Sequence, residues 1–166
     1  MNYIARLALI LATLSNQAFA ASTQDSKAQI HNVIEKFRTS IINKDTETFG
    51  ALFFSDQVPF IAVFSDEMLA KKRVDNPEYP LAVDFGKFGP PSNMLSGDDA
   101  EEEKISNIKI QTDGYLASVH FDYKDIVNGK ERAWGTESWS MIKLGSEWKI
   151  TSVSYTVTET NDDSKE

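Results

Sequence analysis

The chain has 166 residues, 17 basic against 25 acidic for a formal charge of −8, and no cysteine. That length holds one domain with a core of its own. The acid excess disfavours nucleic acid and anionic membrane surfaces, which select basic patches, and the missing thiols exclude disulfides and thiolate–metal chemistry.

Residues 1–20 carry a single charge, Arg6, ahead of the apolar run Leu7 to Leu14 and the small-x-small pattern Ala18-Phe19-Ala20. This predicts a secretory signal peptide cleaved after Ala20 and an exported protein, periplasmic or secreted. The run is far shorter than the ~18–20 residues of a spanning helix, so no membrane anchor is expected. Residues 21–26 are small and polar and predict a short disordered lead, with a single domain over 27–158 and an acidic tail over 159–166.

From Lys27 the apolar residues Ile30, Val33, Ile34, Phe37, Ile41 and Ile42 recur at helical spacing, which predicts one amphipathic helix ending near Asn43. Asp45 or Thr46 can cap a second, short helix through about Phe53. Val58 to Phe64 is an almost continuous apolar run and predicts a strand or core segment, kept near a strand start or edge by Pro59. Ser65 is a good N-cap for a helix from Asp66 to about Arg73, with acids in its first turn and bases in its last. Val74 to Lys104 holds Pro77, Pro80, Pro90 and Pro91 with Gly86, Gly89 and Gly97, and predicts a long excursion, a lid or packed edge on the strength of Phe85, Phe88 and Met94 or a mobile segment on that of the acidic run after Gly97. Its acidic residues Asp98, Asp99, Glu101, Glu102 and Glu103 lack the order of a calcium loop and are expected in solvent.

From Ile105 onward the pattern changes to strands. Tyr115 to Asp125 and Glu131 to Leu144 alternate, with Asn128-Gly129 between them as a hairpin signal, and Gly145-Ser146-Glu147 turns the chain into Trp148 to Thr158. Helices gathered before a curled antiparallel sheet make an α+β architecture. Val33-Ile34-Glu35-Lys36-Phe37, then Asn43-Lys44-Asp45-Thr46-Glu47-Thr48-Phe49, resembles the opening two helices of the nuclear transport factor 2-like (SnoaL-like) superfamily, and Gly145-Ser146-Glu147-Trp148-Lys149-Ile150 is similar to its last hairpin. The resemblance implies a cone-shaped α+β barrel, a curved antiparallel sheet wrapped around the N-terminal helix with a pocket at the open end. Isomerases, cyclases, dehydratases and binding proteins share that fold, so it leaves function open.

A two-residue Asn128-Gly129 turn sets Val127 against Lys130, and counting outward places His120 opposite Glu137. On their face fall Leu116, Ser118, Asp122, Trp139 and Met141, while Tyr115, Ala117, Val119, Phe121 and Tyr123 lie opposite Ile142, Ser140, Ser138, Thr136 and Trp134 on the other. The second face makes the better core. His120, Glu137 and Asp122 are then the candidate acid–base groups, although as an outer-face set they read as ordinary cross-strand neighbours. The other histidine, His31, shares no ligand spacing with His120, so no metal is expected. Within the superfamily, ketosteroid isomerases use a carboxylate base and a tyrosine-containing oxyanion hole. The matching tyrosine position here is Phe37, and Pro59-Phe60-Ile61-Ala62-Val63 offers no carboxylate before Asp66.

What remains is a pocket expected from Phe37, Phe60, Phe64, Phe121, Tyr123, Trp134 and Tyr155, with Thr136, Ser138 and Ser154 as small polar groups. Such walls suit a small apolar molecule and require no cofactor. The favoured expectation is an exported binding protein without an evident catalytic site. A cyclase-, dehydratase- or isomerase-like enzyme with unusual acid–base residues, or a protein-interaction subunit, are the alternatives. A buried carboxylate or histidine in the pocket would favour the enzyme, a solid core the interaction subunit, and an open apolar cavity the binding protein. Leu116, Trp139, Met141 and Val153 on the outer face would form an apolar patch and predict a homodimer.

Overall fold

Helix α1, Tyr3–Asn43, lies against the concave side of a curved six-stranded sheet and supplies one wall of the core. The structure, a computed structural model, describes Tyr3 to Thr160, with side chains from Thr23 onward. The expected leader over residues 1–20 and the acidic tail beyond Thr160 lie outside the described side chains. Residues 23–26, expected as a disordered lead, instead continue α1 and bury Ser26. Most of the stripe that defines the helix packs: Ile30, Val33, Ile34, Phe37 and Ile41 are buried, whereas Ile42, expected with them, is exposed.

Lys44, at φ 54°, ends α1. Asp45 then accepts from the Thr48 amide at 2.9 Å and opens α2, Thr46–Ala51. Ser65 does the same for α3, Asp66–Asp75, accepting from the Met68 amide at 3.2 Å. Among the described residues no helix is long and apolar enough to cross a membrane.

The strands are β1 Phe60–Phe64, β2 Ala82–Asp84, β3 Glu101–Thr112, β4 Leu116–Val127, β5 Lys130–Leu144 and β6 Glu147–Glu159, in the spatial order β2-β1-β6-β5-β4-β3. Only β1 against β6 is parallel. The β4–β5 turn has positive φ at both Asn128 and Gly129, which matches the right-handed twist of the strands it joins. Two 3₁₀ turns, Phe85–Phe88 and Pro91–Leu95, occupy the excursion after β2. Asp84 ties it down by accepting from the amides of Phe60 and Gly86 at 3.0 and 3.1 Å, and Leu95 reaches the core.

Register is where the structure departs from the count along the sequence. Val127 faces Lys130 and Ile126 faces Glu131, but Asp125 pairs with Ala133, so Arg132 is an extra residue in β5. That β-bulge moves β5 by one position, and with a period of two one position exchanges the faces. His120 therefore pairs with Ser138, and Glu137 lies opposite Phe121 on the inside. Trp139, Met141 and Val153 go inward with it and are essentially inaccessible. The outer apolar patch expected to drive a homodimer does not form; of its four members only Leu116 is exposed.

A second correction concerns β3, which starts at Glu101 rather than near Ile105. Glu101 to Glu103, expected in a solvated loop, pair with Val127, Ile126 and Asp125. At the centre of the core, the Trp139 ring meets Phe121 edge-on at 5.1 Å and Phe37 at 4.9 Å.

Candidate functional site

Between α1, the concave face of β3 to β6 and the 3₁₀ turn at Leu95 lies a cavity of about 280 Å³, open on one side. This is close to the lower end of the ~300–1,000 Å³ usual for ligand pockets. Phe37, Ile41, Phe49, Phe60 and Leu95 form its apolar part. The strands add Glu101 and Glu103 from β3, Tyr123 and Asp125 from β4, Arg132, Ala133 and Glu137 from β5, and Tyr155, Val157 and Glu159 from β6.

Of the residues expected to line a pocket, Phe37, Phe60, Tyr123 and Tyr155 do. Phe121 is wholly buried behind them against Trp139, and Phe64 belongs to a separate cluster with Ala62, Met68 and Leu69. Trp134, Thr136, Ser138 and Ser154 are not cavity walls. The bulge turns Trp134 outward, half-exposed and opposite Lys124, and turns Thr136 and Ser138 outward with it. Ser154, paired with Ser138, projects from the same outer face because its neighbour Tyr155 points in.

The candidate acid–base set is divided in the same way. His120 is exposed and its Nδ1 lies 2.7 Å from Ser138 Oγ. Asp122, also outside, accepts from Asn107 Nδ2 at 2.6 Å. Glu137 alone enters the cavity wall, at 3% exposure, where its Oε1 accepts from Trp139 Nε1 at 2.5 Å. Burial pushes its carboxyl up to about 7, against the pull of the indole N–H toward the ionised form. Glu103 is raised well above the usual carboxylate range by burial, and further by the charges of Glu137 and Asp125. Its Oε1 is buried with no hydrogen-bond partner. Burial also raises Asp125, offset by its bond from Arg132, and raises the phenols of Tyr123 and Tyr155, with Glu137 as the largest charge contribution. The Tyr123 hydroxyl donates to the Thr156 carbonyl at 2.8 Å.

The arrangement is a cavity with an apolar part and an acidic wall, in which burial raises the carboxyls of Glu103 and Glu137. Glu103 and Glu101, expected in solvent with the rest of the acidic run, line the cavity instead, and alternation counted backward from the inward Ile105 places both on the inner side. Among the described residues no three or more metal-ligating side chains gather into a site.

No family profile and no curated protein matches the sequence. Solved structures do. A protein of Novosphingobium aromaticivorans described as nuclear transport factor 2-like with a cystatin-like fold superposes with a TM-score of 0.63 at 9% identity, covering 90% of this chain and 92% of that one. The chain has the nuclear transport factor 2-like fold. Two other structures from that organism share it. One is described as a putative scytalone dehydratase, at TM-score 0.61, 16% identity and coverage of 86% and 91%. The other is described as the β subunit of a putative aromatic-ring-hydroxylating dioxygenase, at 0.58, 14%, 84% and 93%. At these identities the likeness shows the nuclear transport factor 2-like fold alone, a fold that carries ligand-binding and enzymatic proteins.

Proposed function

We propose that the protein binds a small, largely apolar molecule in the cavity beneath α1 and moves a proton on it with Glu137. The observation that carries this reading is the Glu137 carboxyl, buried in the cavity wall with its pKa pushed up to about 7. A general acid or base works best when its pKa lies near the working pH. At neutral pH Glu137 can take a proton from a carbon or heteroatom of the ligand and return it at another position, the balance of an isomerisation. Returned to a departing hydroxyl, the same proton completes a dehydration. The fold neighbour described as a putative dehydratase points the same way. Trp139 holds the carboxyl in one orientation through its N–H.

The test is isotope exchange. Small cyclic ketones and hydroxyketones, with and without an amino substituent, are incubated with the protein in D2O and read by mass spectrometry for deuterium gain or loss of water. Wild type is expected to exchange or dehydrate a member of the panel that Glu137→Gln leaves untouched. Panel members that bind without exchange would support the second reading, a binding protein without turnover, which rests on the apolar lining of Phe37, Phe49 and Phe60. Export through residues 1–20 belongs to the same proposal; the intact mass of the protein from its own host tests it, with a start at Ala21 expected. Homodimerisation, now without its outer apolar patch, is tested by sedimentation.

A further inference from the structure

The cavity wall holds more acid than base, and the surplus is specific. Five carboxyls line it: Glu101, Glu103, Asp125, Glu137 and Glu159. Three cations answer them. Lys44 lies 2.6 Å from Glu101, Arg132 lies 2.6 Å from Asp125 and 3.9 Å from Glu101, and Lys72 lies 2.9 Å from Glu159. No described cation pairs with Glu103 or Glu137. These are also the two that burial affects most strongly: one Glu103 oxygen is buried without a partner, and Glu137 has a neutral N–H from Trp139 as its partner. The remaining groups around them cannot supply the charge, since Tyr123 and Tyr155 are phenols and α1 contributes only Phe37 and Ile41.

We propose that the ligand carries a basic nitrogen, bound as an ammonium between Glu103 and Glu137, with its apolar body among Phe37, Phe49 and Phe60. This rests on the reading that the cavity takes a small molecule, and it names that molecule's chemical class. Two carboxyls in one cavity wall, where the charge of Glu137 already acts on Glu103, resist ionising together, whereas a cation shared by them stabilises both charged forms. Binding of the ammonium therefore expels protons from the pair to solvent.

Benzylamine and benzyl alcohol share a shape and differ in charge, and both are titrated calorimetrically into the protein at neutral pH, in phosphate and in Tris. Wild type is expected to bind the amine at least about tenfold tighter, with an apparent enthalpy that differs between buffers because protons are released. Glu103→Gln and Glu137→Gln should each reduce that preference and the proton release. Equal binding of amine and alcohol overturns the ammonium while leaving the cavity reading in place; binding of neither overturns both. An amine preference unchanged in both variants also overturns the proposed seat.

Discussion

Trp139 Nε1 donates to Glu137 Oε1 at 2.5 Å, two residues apart on β5 and both turned into the protein. The indole thus sits on the carboxyl whose ionisation matters most, and its own spectrum reports the proton. Trp139 fluorescence and indole N–H shift are expected to titrate near pH 7, and Glu137→Gln is expected to remove that transition. An indole signal flat from pH 5 to 9 would contradict the assignment.

The raised pKa of Glu137 also sets the sign of a stability change. The folded protein holds a proton near 7 that the unfolded chain releases near the ordinary 4.5. Stability from the neutral carboxyl is therefore complete below about pH 4.5 and is lost as pH rises through about 7, by on the order of 3 kcal/mol. Glu103 acts in the same direction. Urea melts at pH 5 and 8 should show the loss in wild type and a flatter dependence in Glu137→Gln, whose amide oxygen still accepts from Trp139.

Two tryptophans on one strand should behave oppositely. Trp139→Ala empties a site packed against Phe37 and Phe121, at a cost of roughly 3–5 kcal/mol. Trp134, half-exposed on the outer face, should cost below about 1 kcal/mol on the same change and leave binding in the cavity untouched. Thermal melts of the pair decide it.

Gly135 has no room for a side chain: a Cβ there would lie 1.9 Å from the Thr156 carbonyl oxygen. The obstacle is backbone, which cannot swing aside. Gly135→Ala is expected to destabilise by about 1–3 kcal/mol and to loosen the Tyr123 to Thr156 hydrogen bond, measured by urea unfolding and by amide exchange along β6.

Deleting Arg132 should be far worse than replacing it. Arg132→Ala loses the ion pair with Asp125 and, with the extra residue kept, retains the register. The deletion removes the bulge and drives Trp134 inward and Glu137, Trp139 and Met141 outward. Circular dichroism should show cooperative unfolding for Arg132→Ala and none for the deletion.

Local chemistry was legible in the sequence. The α1 stripe, the caps at Asp45 and Ser65 and the Asn128-Gly129 turn each depend on residues within a few positions of one another, and each forms as the spacing predicts. With the resemblance at both ends of the domain, these residues determined the α+β fold and the Phe37 wall of the cavity. Tertiary structure decided which face of β5 points in. Arg132 bulges where it can reach Asp125 on the next strand and Glu101 beyond it, and nothing in residues 131–133 marks the place. Because side chains alternate with a period of two, that single extra residue exchanged every face beyond it: Glu137 moved from the surface to the cavity wall, and Trp134 moved the other way. Glu103 was decided similarly, since an acidic run becomes a strand only when β4 is there to pair with it.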